Sequence, residues 1–184
     1  GTMEDAEKAA VSRDIRPAVP EDAAGLLALY VPYVQESWVT FECVSPSVEE
    51  FRRRITAYSR SYPYLVCRRA GEIVGYAYAH RHMEREAYRW NAELTVYVKR
   101  GLEGQGIGTA LYRALLPRLE AQGLVNLYAV LALPNPGSEA LHRRFGFTRL
   151  GLYPQMGFKL GAWHDVAQYG LRLRPADWCP PDAG

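Results

Sequence analysis

Residues 96–109 read Val96-Tyr97-Val98-Lys99-Arg100-Gly101-Leu102-Glu103-Gly104-Gln105-Gly106-Ile107-Gly108-Thr109. The β-branched and aromatic run Glu93-Leu94-Thr95-Val96-Tyr97-Val98 predicts a strand. From 106 to 121, the residues Ile107, Ala110, Leu111, Ala114, Leu115 and Leu119 fall on one helical face. Between strand and helix, glycines permit a tight turn and a close approach of backbone to ligand. Successive N–H groups at such a helix start point outward, and the helix dipole favours an anion. A diphosphate therefore fits this loop without any charged side chain. Taken alone, the loop is also compatible with a glycine-rich turn that binds nothing. A dinucleotide fingerprint needs G-x-G-x-x-G after the first strand of a βαβ unit; here the third glycine comes one residue early, after three successive strands. A P-loop needs Gly-Lys-Ser/Thr, which is absent.

Upstream of this stretch, Ile15 to Val19 reads as a short strand. Glu21 and Asp22 open a helix that is acidic in its first turn, with Leu26, Leu29, Tyr30 and Tyr33 on its apolar face and Pro32 predicting a break or kink. Ser47 and Glu50 form a capping-box pattern for a helix reaching about Tyr58. Tyr64 to Cys67 and Ile73 to Ala79 predict a hairpin around Ala70-Gly71-Glu72, followed by a loop over 81–89. Downstream, Pro117 predicts a kink or early end to the 106–121 helix. Leu124 to Ala132 is a second apolar strand. Asn135, Pro136 and Gly146 bracket a helix over 136–145 as cap, first residue and stop. Two last strands fit near 147–153 and 164–173. The order β-α-α-β-β-β-α-β-α-β-β is that of an α/β fold with a mixed sheet. It forms one domain over 13–174, with 1–12 and 175–184 as flexible termini.

The 184 residues are 48% hydrophobic and 23% charged, enough for a single core without disulfides. A net charge of +2 is too weak a field for a nucleic-acid partner, and Arg52-Arg53-Arg54 reads as a solvated helix face. Cys43, Cys67 and Cys179 are odd in number, widely spaced and without a metal-ligand pattern. No disulfide framework and no metal are expected, and the compartment is a reducing one. No run reaches the roughly 20 apolar residues of a membrane span, and no signal-peptide stretch is evident. Gly1-Thr2 before Met3 reads as a remnant of cloning. The expectation is a cytoplasmic protein without membrane association.

Several segments together resemble one family. They are Ser61-Tyr62-Pro63-Tyr64-Leu65-Val66, Ala92-Glu93-Leu94-Thr95-Val96-Tyr97-Val98, Gly106-Ile107-Gly108-Thr109-Ala110-Leu111-Tyr112, Leu119-Glu120-Ala121-Gln122-Gly123, Leu133-Pro134-Asn135, Leu141-His142 with Gly146-Phe147, and 157–166. The loop is similar to the acyl-CoA pyrophosphate loop of the GNAT superfamily, and the chain from about Ile15 to Arg174 resembles its phosphinothricin N-acetyltransferase branch. Glu103 departs from the superfamily's usual Gln or Arg. A carboxylate beside a diphosphate is unfavourable, so Glu103 is expected to face solvent.

The resemblance implies acetyl-CoA as co-substrate, held by Gly104, Gln105, Gly106, Ile107, Gly108 and Thr109. Its pantetheine arm would pair along Val96, Tyr97 and Val98, as in strand addition, with Asn135 near the same arm. An alkyl ammonium of pKa near 10.4 is neutral only about once in a few thousand molecules at pH 7, so the reaction needs a base. The resemblance assigns that role to Glu93, acting through water, and partial burial is expected to raise its pKa. His142 stands where many members carry Tyr, and is implied as acid or hydrogen-bonding partner of the leaving sulfur. An N–H on the Val96–Val98 edge would meet the oxyanion. Arg85, Tyr88, Thr40 and Phe41 are implied to face the acceptor, Arg85 through its planar fork. Met83 replaces a Lys of the herbicide-resistance members. With that charge lost, methionine sulfoximine or another amino-acid-like amine is as fitting an acceptor as phosphinothricin. Segment 157–165, with Trp163, is implied in a homodimer interface. Two other functions fit the same loop: a protein or peptide N-acetyltransferase, and a non-catalytic acyl-CoA-binding module.

Overall fold

The computed structural model describes residues 2, 3 and 14–181. Apart from residues 2 and 3, the N-terminal stretch 1–12 lies outside the described residues, as do 182–184. The strands are β1 (Ile15–Pro17), β2 (Tyr64–Arg69), β3 (Glu72–Arg81), β4 (Asn91–Val98), β5 (Asn126–Ala132), β6 (Thr148–Lys159) and β7 (Ala162–Arg172). The helices are α1 (Ala23–Glu36), α2 (Val48–Ser59), α3 (Ile107–Ala121) and α4 (Pro136–Arg144). The order expected from sequence is the one found, and the sheet runs β1-β2-β3-β4-β5-β7-β6.

Local chemistry explains most boundaries. Ala70 and Gly71 both take positive φ, the turn that matches the twist of a two-residue hairpin. The Ser47 side chain accepts from the Glu50 N–H at the start of α2. The Glu50 carboxylate turns instead to Arg53 and Arg54, so the reciprocal half of the box is missing. The break at Pro32 and the early end at Pro117 are not found. Helix α1 is continuous through Pro32, and α3 runs past Pro117 to Ala121. Buried residues flank each proline, Tyr30 and Val34 in the first case and Leu115 and Leu119 in the second. Packing on both sides offsets the lost backbone hydrogen bond.

The core lies on both faces of the sheet. On one face, Leu94 of β4 and Leu127, Ala129 and Leu131 of β5 pack with Ile107, Leu111 and Leu115 of α3. On the other, Tyr64, Val66 and Tyr76 meet Leu26, Tyr30, Phe51 and Ile55 of α1 and α2. Gly75 of β3 is the point of closest approach to α3: a Cβ there would lie 2.6 Å from Ile107 Cγ2 and 3.1 Å from Leu111 Cδ1. Gly75→Ala is expected to destabilise the protein by about 1–3 kcal/mol through overpacking, measured as a lower urea midpoint with unchanged slope.

Strands β6 and β7 are longer than the sequence suggested. They extend through Pro154 and Gly157 because the β6 register shifts between Arg149 and Gly151 and again between Tyr153 and Gly157. Such bulges admit residues that a regular ladder rejects. The resulting hairpin turns at Leu160-Gly161, both at positive φ.

Candidate active site

Strands β4 and β5 pair in parallel only over Asn91–Glu93 and Asn126–Tyr128. Beyond that point they part. The Lys99 N–H bonds to the Val74 carbonyl of β3, which fixes the alternation of the antiparallel ladder. The peptide groups of Val96 and Val98 therefore turn away from β3, toward the gap left by β5. The Tyr33 hydroxyl closes one of them by donating to the Val98 carbonyl. Tyr97 spends its peptide groups on β3, and its ring packs among Tyr30, Tyr33 and Tyr76 on the α1–α2 face.

The gap opens into a cleft of about 730 Å³, lined among others by Val96, Val98, Gly104, Gly106, Gly108 and Asn135. Gly104 and Gly106 sit at φ +76° and +82°, the left-handed region that favours glycine. Among the described residues, none accepts a hydrogen bond from the amides of Gly104, Gln105 or Gly106. Ile107 starts α3 directly after them. Glu103 is exposed, but it also lines the cleft rather than facing solvent alone; its carboxylate accepts from the Gly101 N–H at 2.8 Å and braces the loop. The Gln105 side chain turns away from the cleft to Arg69, 2.6 Å distant. Asn135 caps α4 by accepting from the Ser138 N–H and also lines the cleft, so both of its expected roles are compatible.

Two cations that the sequence did not single out stand on the same wall, Arg113 and Arg144; the latter donates to Thr109 Oγ1 at 2.8 Å. The signal was present but weak. Arg113 is four residues after Thr109 and shares its helix face, whereas Arg144 depends on the docking of α4.

Strand alternation places Glu93 and Thr95 on the face of Tyr97, opposite Leu94 and Val96. Glu93 is paired across the ladder with His80. Its carboxylate lies 3.1 Å from His80 Nε2 and 3.5 Å from His82 Nδ1. Both are ion-pair contacts, and His82 Nδ1 is buried without a hydrogen-bonding partner among the described residues. The expectation of a raised Glu93 pKa is corrected here. Burial does push the carboxyl upward, but the hydrogen bond and charge of His80, with His82, outweigh it and hold Glu93 below its ordinary value. Sequence reading missed both histidines because His80 ends an apolar strand and His82 falls in the segment taken as loop.

His142 is buried. Its Nδ1 lies 2.7 Å from the Ser138 carbonyl and must donate to it, which leaves Nε2 to accept from the Tyr112 hydroxyl at 2.8 Å. Burial lowers its pKa, so the ring is neutral in this arrangement. Both ring nitrogens have partners within the protein, and the ring reaches the cleft wall beside Tyr112.

The four residues expected to face the acceptor are not brought together in this cleft. Arg85 and Tyr88 bracket a single 3-10 turn in the β3–β4 loop, both exposed. The loop leaves the sheet at the end where Arg81 pairs with Ala92, next to Glu93. Arg85 has no ion pair among the described residues. Thr40 and Phe41 lie after α1, in the loop before α2, rather than in a helix. Thr40 is buried, with its hydroxyl 2.7 Å from that of Tyr30. Phe41 is exposed, its ring lying so close over Gly157 that a Cβ there would fall 2.2 Å from it. Lys159 Nζ, also buried, donates to the Tyr33 and Thr40 carbonyls at 3.3 and 2.8 Å and ties β6 to this loop.

Among the described residues, no cluster of His, Cys, Asp or Glu could hold a metal ion, and no helix is long and apolar enough to cross a membrane. Among the described residues no disulfide joins Cys43, Cys67 and Cys179, and burial pushes the Cys67 thiol up to about 11.

Comparison with known proteins gives this geometry a context. Residues 15–167 match the acetyltransferase (GNAT) domain. The phosphinothricin N-acetyltransferase of Streptomyces coelicolor is 39% identical over 159 residues, covering 84% of this chain and 93% of that one. The L-methionine sulfoximine/L-methionine sulfone acetyltransferase of Pseudomonas paraeruginosa is 35% identical over 172 residues, covering 92% of this chain and 100% of that one. The crystal structure of a GNAT superfamily phosphinothricin acetyltransferase from Sinorhizobium meliloti in complex with AcCoA superposes with a TM-score of 0.84 at 35% identity, covering 91% of this chain and 95% of that one.

Proposed function

The chain belongs to the GNAT family of N-acetyltransferases, and from that premise we propose that it moves the acetyl group of acetyl-CoA to the amine of a free amino-acid-like acceptor, of the phosphinothricin or methionine sulfoximine class. One observation carries this reading: the open edge of β4 faces the unpaired amides of the glycine loop across a single cleft. The loop amides and the dipole of α3 suit a diphosphate, with Arg113 and Arg144 adding positive charge. The Val96 peptide group and the Val98 N–H suit the amides of a pantetheine arm, and the same edge offers an N–H to a developing oxyanion. Glu93 lies across the sheet at the start of the gap, so a thioester reaching through meets an amine there. Direct transfer then needs only that the ammonium lose a proton toward Glu93 before its nitrogen attacks the thioester carbon. His142, neutral and accepting from Tyr112, acts as a hydrogen-bonding partner that orients that hydroxyl at the cleft wall, and the leaving thiolate takes up the second proton lost by the attacking nitrogen.

A panel of free amino-acid amines and peptides, assayed with acetyl-CoA by thiol release, tests the reading. Turnover is expected on the free amines. Release on peptides alone, or none on any amine, overturns it. Within this reading the unpaired guanidinium of Arg85 meets the acceptor's anionic group. Arg85→Ala is expected to raise the acceptor's KM about tenfold, with kcat changed less. An unchanged KM removes Arg85 from the site.

The same reading includes a homodimer. Leu150, Met156, Phe158, Leu160 and Trp163 of the β6–β7 hairpin are each more than half exposed, an apolar stripe that suits a second copy of the chain. Trp163→Asp is expected to shift sedimentation from dimer to monomer, and a wild-type monomer at micromolar concentration removes the dimer. A cytoplasmic location, where acetyl-CoA and reduced thiols coexist, completes the proposal and is consistent with three cysteines that form no disulfide among the described residues.

A further inference from the structure

The carboxylate at the start of the β4–β5 gap is unusual in its company. His80 and Glu93 are direct partners in the β3–β4 ladder, and His82 is two residues further along β3 and its following turn. Around this group stand Tyr58 of α2 and Tyr78 of β3, which pack on the His80 ring, and Tyr128 of β5, which packs on His82 at 4.5 Å. No other charged side chain faces the His80 ring among the described residues.

One hydrogen bond and one ion-pair contact fix the protonation logic of His80. Nδ1 lies 3.0 Å from the Arg81 carbonyl, an acceptor only, so Nδ1 carries a hydrogen. Nε2 lies 3.1 Å from Glu93 Oε2. An ionised carboxylate is also an acceptor only, so this contact is bonding only when a proton lies between the two groups. The pair thus holds one proton jointly and binds it more tightly than either group alone. Burial opposes the charged imidazole, yet the hydrogen bond and charge of Glu93 prevail and raise His80 above histidine's ordinary value. With His80 and His82 beside it Glu93 is held below its ordinary value, a poor match for stripping an ammonium unaided.

We propose that Glu93 does not act alone, and that His80 is a positioning residue that takes up the acceptor's proton through Glu93 and returns it to solvent. This inference rests on the reading of Glu93 as base. The pair enters the reaction with Nε2 bare and Glu93 ionised. An N–H bond of the acceptor ammonium breaks, its electron pair stays on the nitrogen, and the proton passes over the carboxylate to Nε2. The products are a neutral amine and an imidazolium–carboxylate pair. His80 is 24% exposed at its side chain, which gives the proton an outlet.

The pH dependence follows with a definite sign. Activity requires the pair to be free of its joint proton, so kcat/KM rises as pH increases through the pKa of the pair. That midpoint belongs above 6.5, not in the carboxylate range. In His80→Gln, Glu93 would keep only His82, 3.5 Å away, so the acidic limb is expected to move down by at least about one pH unit while the plateau falls roughly tenfold. A purely structural role would lower the plateau without moving the limb. An unmoved limb in His80→Gln, with Glu93→Gln inactive, overturns the inference and leaves the proposed function standing. NMR titration supplies a readout independent of turnover and of the variant's folding. His80, one of four histidines, is expected to titrate above 6.5 in the wild-type protein. Titration at or below 6.5 overturns the proposal, even where no amine in the panel is acetylated.

Discussion

Glu93→Gln lowers kcat by about 100-fold or more, with the fold intact and the KM for acetyl-CoA close to wild type. The substitution keeps volume and hydrogen-bonding shape at a half-buried position, so packing against His80 and His82 survives. What it removes is the ability to accept a proton. An acceptor ammonium is neutral about once in a few thousand molecules at pH 7; without a base, turnover must wait for that minority. In the proposed complex the donor is gripped elsewhere, by the loop and the open strand edge, so its binding is not expected to change. Circular dichroism establishes the fold, and thiol release at saturating acetyl-CoA measures kcat. Near-normal turnover in the folded variant takes Glu93 out of the proton path. Raising the pH should partly restore the variant, because the free-amine fraction of the acceptor grows tenfold per unit below its pKa.

Gly106→Val carries the second large effect, and it falls on the donor side. Gly106 stands at φ +82° and ψ +7° as the N-cap of α3. A β-branched residue in that region costs about 1–2 kcal/mol, and the loop relieves the strain by rotating its peptide planes. Those planes carry the amides of Gly104, Gln105 and Gly106, which in the proposed complex meet the diphosphate. Each misdirected amide forfeits about 0.3–1 kcal/mol of anion contact. Together these losses correspond to a KM for acetyl-CoA raised roughly 10- to 100-fold, while the proton chemistry at Glu93 continues. Initial rates against acetyl-CoA concentration give the KM. The thermal shift on adding acetyl-CoA should shrink in parallel. A variant with unchanged KM and unchanged shift separates the loop from the donor.

The contrast between these two sites explains how much was legible in the sequence. The glycine loop is a local feature. Gly104, Gly106 and the apolar face of α3 announce it within sixteen residues, and the caps at Ser47 and Asn135 are equally local. The order of elements followed because each strand and helix carries its own period. The parting of β4 from β5 is different. Nothing in Val96-Tyr97-Val98 states that pairing with β5 stops at Glu93, since that depends on where Tyr128 lies across the sheet. Arg144 likewise reaches the cleft only because α4 docks beside α3. The His80–Glu93 pair lay hidden because it joins residues thirteen apart through strand register. Pro32 and Pro117 misled for the reverse reason: their local preference is real, but packing on both flanks decides.

The gap in the sheet has one more consequence. Rungs missing between β4 and β5 are supplied, in the proposed complex, by the carrier's own amides, and the glycine loop holds its phosphates. Of these contacts, only the one N–H offered to the oxyanion meets the two-carbon cargo. The spent carrier should therefore lodge nearly as well as the loaded one, so the catalyst is throttled by its own discarded thiol. Flux through it would then track the ratio of charged to empty coenzyme rather than the amount of either.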